Sequence, residues 1–522
     1  MKKLFQYLLL LLILTVPTYS LMLRPGIFTM HDFHVFRQFE FDKCIQAHIF
    51  PCRWAADAGK GYGEPLFNFY GQFPYWLGEV AHLLGFSILD STKLLLIFSV
   101  ILSGVSMFFL GRKFWGNVGG LISAFFYIYA PYRAVDIWVR GALNESLAFV
   151  LFPFIFYHLD ELTQRYRHSN LILLILGVSA LITTHNLSVM MFAPFMALWW
   201  LFRTIKNRSF KSLPSLIMAA VFALLVSAYY LLPVALESKY ITISHTTRGY
   251  YDFRAHFVTL NQLFVSNFWG YGGSTWGPND TMSFSVGYLH WIIPIVIALF
   301  MLIRRKINFH FLVFSAFGLV AIILTHNKSA FIWTHLPFMA YIQFPWRFLT
   351  LSTLFLSLAS GAATLVLSKK VLIILISLVI LFNFNFFHPD IWRSISDKEQ
   401  FSGSLWDEER SSALQDFWPI FGANEPDNFA SQKAQIMHTT KYARIKYPIV
   451  YFPGWIATVD GQRTPIYPSQ NLGLITLRVP LDYSRVSLRF VDTWPRTLGN
   501  SISLISLGGL LLWYFSKKRL YS

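Results

Sequence analysis

The residues most able to do chemistry lie in one stretch, His31 to Tyr75, which follows the first hydrophobic segment. Its opening motif, HDFHVFR, places Asp32 between His31 and His34. A carboxylate beside imidazoles can act as a general base on a sugar hydroxyl or as a metal ligand. The alternative is a solvated charge close to a membrane surface. Because aromatic residues surround this motif, we predict that Asp32 is catalytic and that His31 and His34 bind substrate.

The same stretch continues with PCRWAADAGKGYGEPLFNFYG, in which Arg53 precedes a glycine-rich turn and a group of aromatic residues. Glycines permit a tight backbone path, and aromatic rings form stacking walls for a sugar ring or an isoprenoid. A purely structural loop is the alternative. We predict that Arg53, Tyr62 and Tyr70 contact substrate.

A second charged motif, APYRAVDIWVRGALNES, contains Arg133, Asp136, Arg140 and Glu145 between hydrophobic runs. A charge buried near a bilayer without a partner is costly, so these residues should pair with one another or with a ligand phosphate. The preferred pair is Arg140 with Glu145. The sequence leaves open whether Arg140 contacts a ligand or forms only an internal salt bridge.

Three further polar residues end hydrophobic runs. The segments ITTHNLS and ILTHNKS echo each other and contain His185 and His326, although chance or helix capping by Asn and Ser also explains the echo. In QFPWRF, Arg347 either clamps a phosphate or anchors a helix at the lipid headgroups. We predict that His185, His326 and Arg347 belong to the substrate site.

The elements that must position these residues are membrane helices. The chain is 55% hydrophobic and only 13% charged, with a mean hydropathy of +0.48, which excludes a soluble globular protein. The formal net charge of +17 does not indicate nucleic-acid binding, because the basic residues are scattered in small clusters between hydrophobic runs. The composition therefore indicates a polytopic membrane protein.

Apolar runs of spanning length predict about twelve helices. They lie near 4–23, 91–111, 117–131, 146–161, 170–185, 187–203, 213–236, 286–303, 309–325, 348–367, 371–387 and 498–515. The first run resembles a signal peptide, yet it lacks a clear cleavage site, so we interpret it as an uncleaved helix and keep a cleaved signal as the alternative. Basic clusters fall on one side of the predicted membrane, which predicts an inner-membrane protein with both termini cytoplasmic.

The sequence pattern also predicts the domain organisation. Residues 1–387 form a transmembrane bundle with exoplasmic loops, of which the first is 24–90. Residues 388–497 form an exoplasmic domain, because period-two alternation and turn residues indicate antiparallel strands from about residue 440 onward. Residues 498–522 form a last transmembrane helix and a basic cytoplasmic tail. Polar residues in the outer connections are the functional candidates.

The chain has 2 cysteines, Cys44 and Cys52, and both lie in the first predicted outer loop. This number excludes a zinc ribbon or a disulfide framework. A disulfide is chemically allowed on the outer face of the membrane, but the spacing does not demand one.

The motifs resemble those of a known family. HDFHVFR, CRWAADAGKGYGEPLFNFYG and APYRAVDIWVRGALNES resemble membrane proteins with a 6-pyruvoyl-tetrahydropterin synthase-related domain, while FPWRF and YFPGWIATVDGQ with GLITLRVP resemble YfhO-type membrane proteins. Both groups are similar to the GT-C superfamily of glycosyltransferases. The resemblance implies a mainly α, GT-C-like helix bundle with a small exoplasmic β domain near the C-terminus, and it does not imply pterin chemistry.

The resemblance implies transfer of a sugar from a polyprenyl-phosphate donor to an envelope glycan or lipid acceptor on the exoplasmic face, in contact with membrane lipids. GT-C enzymes carry an acidic residue in the first outer loop, where Asp32 stands, and Glu145 is the second catalytic candidate. Arg140 and Arg347 would stabilise the departing phosphate. There is no adjacent acidic pair, and Glu64 has no family role, so the cofactor stays open, with a divalent cation as one candidate.

Two alternatives from other functional classes stay in view. The first is a lipid or glycan transporter or flippase, although transporters place ionisable residues near the bilayer midplane and show paired repeats, whereas here the charges collect at one membrane face. The second is a noncatalytic envelope-assembly scaffold whose β domain binds a partner or an envelope glycan.

Overall fold

The fold is dominated by long apolar helices. The computed structural model describes residues 2–31, 33–275, 277, 279–336, 338–412, 417–431 and 433–519. The α-helices of these residues are α1 (Lys2–Thr15), α2 (His34–Gln46), α3 (Ala58–Gly61), α4 (Leu66–Phe69), α5 (Phe73–Leu83), α6 (Ile88–Ile128), α7 (Pro131–Ala134), α8 (Leu143–Gln164), α9 (His168–Thr184), α10 (Asn186–Asn207), α11 (Leu213–Val226), α12 (Ala228–Glu237), α13 (Leu260–Phe264), α14 (Tyr288–Ile303), α15 (Phe309–Thr325), α16 (Ala330–His335), α17 (Leu349–Ser360), α18 (Lys369–Asn383), α19 (Asp397–Gln400), α20 (Gly403–Ser412) and α21 (Trp494–Arg519).

Within the described residues, 6 helical segments are long and apolar enough to cross a membrane. They are Ile88–Ile128, Leu143–Gln164, Asn186–Asn207, Pro345–Leu365, Lys369–Phe386 and Trp494–Ser516. A bent pair, Leu213–Val226 with Ala228–Tyr240, could form one further span, and α9, α14 and α15 are shorter apolar helices. The protein is therefore a multi-pass membrane protein.

Every predicted apolar run overlaps helical backbone. The run 91–111 and most of the run 117–131, predicted as two helices, belong to one long helix, α6, which is broken at Gly116, where φ is 73°. The predicted fold class, a mainly α bundle with small antiparallel sheets near the C-terminus, is confirmed.

The chain divides into two compact units. The first contains Met1–His34, Trp76–Ala223 and Thr247–Ser396, and the second contains Val35–Tyr75, Leu224–Thr246 and Asp397–Ser522. In the first unit α6 packs against α8 and α17, and α15 packs against α17. All residues of α17 are buried, as expected for a helix that is apolar on every side.

Small residues let α6 approach the backbone that follows α17. A Cβ added to Gly361 would lie 2.8 Å from the carbonyl oxygen of Gly119 and 2.3 Å from Oγ of Ser123. Such close contact needs small residues at the interface, as in membrane helix pairs generally.

A buried carboxylate connects three helices of the first unit. Asp160 of α8 is 0% exposed and pairs with Lys113 of α6 at 2.7 Å and with Arg203 of α10 at 3.0 Å. Its carboxylate also accepts hydrogen bonds from the indole of Trp199 at 3.1 Å and from the Gln164 amide at 2.6 Å. Both cations are thereby neutralised where the three helices meet.

The first unit also contains the short strands β1 (Ile27–Phe28) and β2 (Trp392–Arg393), which form an antiparallel pair. The second unit contains β3 (Gln435–His438), β4 (Ala443–Val450), β5 (Trp455–Val459), β6 (Gln462–Thr464), β7 (Tyr467–Pro468), β8 (Leu474–Val479) and β9 (Val486–Phe490). They form a four-stranded sheet of order β3-β4-β8-β7 and a three-stranded sheet of order β6-β5-β9. A core that includes Ile445, Ala457 and Leu477 joins the two sheets.

Helix packing and a disulfide complete the second unit. Helix α12 packs against α21, and Glu237 at the end of α12 accepts hydrogen bonds from Arg496 at 2.9 Å and from Asn68 at 2.7 Å. Cys44 of α2 and Cys52 form a disulfide with a Cα–Cα distance of 5.5 Å. Of the two alternatives that the sequence left open, the bridge is the one observed.

Replacing the central carboxylate of the first unit should destabilise the protein. Asp160→Ala leaves Arg203 buried without an ionic partner, which costs about 3–5 kcal/mol. We expect a lower midpoint of thermal unfolding for the purified protein in nanodiscs. The matched control is Asp252→Asn, which removes the surface pair with Arg254, whose side chain is 65% exposed, and should cost less than about 1 kcal/mol. Equal midpoints for Asp160→Ala and wild type would contradict the role of this carboxylate.

Candidate functional site

The candidate site is built on the connection between α6 and α8. Helix α7 continues into a π-helix, Val135–Val139, which places Arg133, Asp136 and Arg140 at helical spacing. The single turn of π-helix is a feature often found at functional sites. Gly141 follows with φ 59°, and a Cβ there would lie 2.6 Å from Cβ of Met30, so the position requires glycine.

Arg133, Asp136, Arg140 and Glu145 form the arginine–acid cluster. Nη1 of Arg140 lies 2.6 Å from Oε2 of Glu145 and 3.1 Å from Oδ1 of Asp136. Nη1 of Arg133 lies 3.2 Å from Oδ2 of Asp136. No member is more than 6% exposed. The predicted pair of Arg140 with Glu145 is therefore present as a buried ion pair.

Hydroxyl groups donate further hydrogen bonds to the carboxylates of Glu145 and Asp136. The Tyr132 hydroxyl and the Thr350 hydroxyl each donate a hydrogen bond of 2.7 Å to Oε1 of Glu145. Ser146 donates one of 2.7 Å to Asp136. Because both oxygens of Glu145 accept hydrogen bonds, this carboxylate is held in one orientation and holds Arg140 in turn.

Burial also changes the acidity of the cluster. Removal from water raises the pKa of Asp136 to about 7, the charge of Glu145 acts in the same direction, and Arg140 and Arg133 oppose it. The two arginines therefore favour the ionised form of this buried carboxylate.

An aromatic wall covers one side of the cluster. The Arg140 guanidinium lies 4.8 Å from the centre of the Trp346 ring, which is 3% exposed. The indole Nε1 of Trp346 has no hydrogen-bond acceptor among the described residues. A buried N–H donor without an acceptor is unfavourable, and a ligand oxygen would satisfy it.

The structure brings two more predicted site residues close to Glu145. Arg347 and His185 both lie within electrostatic range of its carboxylate. Arg347 also donates hydrogen bonds to the carbonyl oxygen of Ile342 at 2.8 Å and to Gln343 at 3.2 Å. The cluster is thus bordered by two further groups that can carry positive charge.

The remaining predicted histidines have different surroundings. The backbone N–H of His31 donates to the carbonyl oxygen of Val139, adjacent to Arg140, and its ring stacks on Tyr271 with centroids 4.1 Å apart. His34 is 0% exposed at the start of α2. His326 accepts a hydrogen bond from the backbone N–H of Lys328, so the histidine itself, and not the Asn or Ser of the repeated motif, caps the short turn Asn327–Ser329.

Arg53, Tyr62 and Tyr70, which we predicted to contact substrate, belong to the second unit. Arg53 is 2% exposed and donates hydrogen bonds of 2.9 Å to the carbonyl oxygen of Tyr229 and to Asn500. Burial lowers the pKa of Arg53 to about 10. The Tyr70 hydroxyl accepts a hydrogen bond of 3.0 Å from Arg37.

The backbone of Tyr62 is likewise part of the second unit. Its carbonyl oxygen accepts the backbone N–H of Val450 in β4, which connects the glycine-rich turn to the four-stranded sheet. Gly63 has φ 81°, and a Cβ there would lie 2.6 Å from the indole of Trp54. The glycine in this turn is therefore needed for both conformation and space.

Two predictions about the first outer loop stay untested. Asp32 lies outside the described residues. Among the residues that are described, no group of three or more His, Cys, Asp or Glu side chains is arranged to hold a metal ion. The assignment of Asp32 as catalytic residue and the choice of metal remain predictions.

The structure adds residues that the motif analysis did not place in the site. Arg133 and Asp136 are opposite charges at helical spacing, and this sequence signal could have assigned both residues to the site. Trp346 stands next to Arg347 in the QFPWRF motif, whereas Thr350 carried no signal, because its contact with Glu145 spans 205 positions of sequence. These partners depend on how α17 packs.

A double-mutant cycle should detect the central ion pair. Arg140→Gln and Glu145→Gln each leave a buried charge with fewer partners and should each cost about 3–5 kcal/mol. The double variant should be less destabilised than the sum of the singles, with a coupling energy of about 0.5–3 kcal/mol, measured by thermal unfolding in nanodiscs. The same cycle on the surface pair of Arg254 and Asp252 should give coupling near zero. Strict additivity at Arg140 and Glu145 would contradict the observed contact.

Known proteins resemble parts of the chain. An uncharacterised protein of Lactococcus lactis subsp. cremoris is 23% identical over 286 residues, which is 51% of this chain and 44% of that protein. Among solved structures, the arabinofuranosyltransferase AftD from Mycobacteria is 14% identical with a TM-score of 0.40, over 74% of this chain and 26% of AftD. The oligosaccharyltransferase of Archaeoglobus fulgidus is 12% identical with a TM-score of 0.43, over 84% and 61%.

This chain spans less than two thirds of the length of each of these relatives. The family model described as a 6-pyruvoyl-tetrahydropterin synthase related domain of membrane proteins matches residues 67–388, which include the whole arginine–acid cluster and Arg347. The chain therefore belongs to this family of membrane proteins.

Proposed function

We propose that the protein is a membrane glycosyltransferase of the GT-C type. In this proposal it moves a sugar from a polyprenyl-phosphate donor to an envelope glycan or lipid acceptor on the exoplasmic face. The observation that carries the proposal is the arrangement around Arg140, a buried guanidinium fixed by Glu145 and Asp136 beside the Trp346 indole N–H. Such an arrangement suits an oxyanion, because the donors are fixed before the ligand arrives.

The reaction joins the acceptor oxygen to the anomeric carbon of the donor sugar. The bond between that carbon and the phosphate oxygen breaks, and its electron pair stays on the phosphate. The hydroxyl proton of the acceptor passes to a carboxylate base. Negative charge therefore develops on the lipid phosphate, which is where Arg140, Arg347 and the Trp346 N–H would stabilise it.

The two predicted catalytic acids receive different roles. Both oxygens of Glu145 already accept hydrogen bonds, so we assign Glu145 to hold Arg140 in position. We assign proton uptake to Asp32, which follows His31 in sequence. The support is that the His31 backbone contacts Val139, the residue before Arg140.

The proposal extends to location and partners. The arginine–acid cluster is built on the connection between α6 and α8, two helices of spanning length, so a lipid-linked donor has access to it from the bilayer. Basic clusters between the apolar runs support an inner-membrane location with both termini cytoplasmic. Membrane lipids surround the helices in this arrangement, and the acceptor belongs to the cell envelope.

Asp32→Asn should abolish sugar transfer, because asparagine cannot accept the hydroxyl proton. The measurement compares lipid-linked sugars and envelope glycans in cells that lack the gene and carry either wild type or variant. Wild type should restore the glycan and deplete the lipid-linked sugar, whereas Asp32→Asn should restore neither at equal expression. Asp390→Asn, an exposed matched change, should behave as wild type. Full restoration by Asp32→Asn would remove Asp32 from the mechanism.

Trp346→Phe should reduce transfer while keeping an aromatic ring beside Arg140. The change removes one hydrogen bond to a charged phosphate, worth about 1.5–3 kcal/mol, so the rate should fall about tenfold or more. The readout is the initial rate of donor consumption in isolated membranes. Trp494→Phe, at an indole that is 68% exposed, is the matched control. An unchanged rate for Trp346→Phe would show that its N–H does not contact the phosphate.

A further inference from the structure

The outer face of the four-stranded sheet carries an unusual set of side chains. Strand pairing aligns Met437 of β3 with Arg444 of β4, and Arg444 with Arg478 of β8. Residues directly opposite each other in antiparallel strands share one face of the sheet. Met437, Arg444 and Arg478 therefore form a row across three strands, and all three are exposed.

A second row runs beside the first. Gln435 of β3 aligns with Lys446 of β4, Lys446 with Thr476 of β8, and Thr476 with Tyr467 of β7. Gln435, Lys446 and Thr476 are each two positions from a member of the first row, and Tyr467 lies directly opposite Thr476, so this row lies on the same face. The opposite face carries the core, with Ile445 and Leu477 buried between the sheets.

The two arginines of the first row face each other without a counter-charge. The Cα atoms of directly opposite residues in an antiparallel pair are about 4.5–5.5 Å apart, and like charges at this position destabilise the sheet. Within the described part of the chain, no carboxylate lies within salt-bridge distance of Arg444, Lys446 or Arg478. An anion bound between the arginines would remove the repulsion.

Aromatic rings accompany this positive charge. The Arg478 guanidinium lies 5.4 Å from the ring centre of Tyr442 and 5.3 Å from that of Tyr467, which is 46% exposed. Rings of this kind stack on the C–H faces of sugars, while the Gln435 amide can bond to hydroxyls. A surface that binds lipid needs only cations and apolar side chains that insert into the membrane. This sheet face instead combines cations with aromatic rings and an amide, which suits a sugar chain.

We propose that this face, defined by Gln435, Met437, Arg444, Lys446, Tyr467 and Arg478, binds an anionic glycan. The occupant is a sugar chain bearing carboxylate or phosphate groups, with the acidic groups between Arg444 and Arg478 and the sugar rings against Tyr467 and its neighbour Tyr442. Charge complementarity and the opposed arginines support this occupant. The proposal does not depend on glycosyl transfer, since binding at this face can be measured without turnover.

The test measures binding of fluorescent alginate, a linear chain of uronic acids, to the full-length protein in nanodiscs of neutral lipid. The variant is Arg444→Gln with Arg478→Gln, and the matched control is Arg463→Gln with Arg489→Gln, two exposed arginines on the other sheet. The first pair should weaken binding at least about tenfold, as expected for the loss of charge-assisted contacts, while the control pair should change it little. Equal effects of the two pairs would overturn the proposal, because binding would then follow net charge alone.

Other probes separate this occupant from other anions. Neutral dextran should bind far more weakly than alginate, and inorganic polyphosphate, which has no sugar rings, should also bind more weakly. Stronger binding of polyphosphate, or binding only to vesicles of anionic phosphatidylglycerol, would overturn the proposal. Unfolding midpoints equal to wild type establish that the exposed substitutions leave the fold intact.

Discussion

Buried opposite charges that must stay paired are the constraint on which the first unit depends. Arg133, Asp136, Arg140 and Glu145 are almost completely removed from water beside helices of spanning length. An unpaired charge would be costly in this position, so each of the four residues must stay in contact with its partner. These contacts restrict the positions of all four side chains. The same restriction fixes a guanidinium before any ligand arrives, which is the property that the proposed stabilisation of a lipid phosphate requires.

Helix α8 connects this cluster with a second one. Glu145 lies in its first turn and the buried Asp160 lies near its C-terminal end, and each carboxylate has cationic partners from outside the helix. A sliding or rotation of α8 would disrupt ion pairs at both ends. The buried helix α17 adds to this restriction, because its Thr350 hydroxyl bonds to Glu145. The apolar bundle therefore positions the polar site as a rigid scaffold.

The four-stranded sheet of the second unit places like charges opposite each other, in contrast to the paired opposite charges of the first unit. Arg444 and Arg478 face each other on an exposed surface, where water reduces the cost of repulsion. In the arginine–acid cluster of the first unit, Arg133 and Arg140 each contact a carboxylate. Buried arginines thus indicate fixed internal structure, whereas the exposed pair indicates a surface that is completed by an anion from outside.

The sequence by itself determined the helical runs and the late β strands and favoured the pairing of Arg140 with Glu145, because these depend on local periodicity and on residues a few positions apart. It could not determine that Thr350 and Trp346 complete the cluster, or that His185 lies near Glu145 while its counterpart His326 caps a turn. Contacts of this kind are made between helices distant in sequence. Only tertiary packing decides which helix faces meet, because many faces are equally apolar.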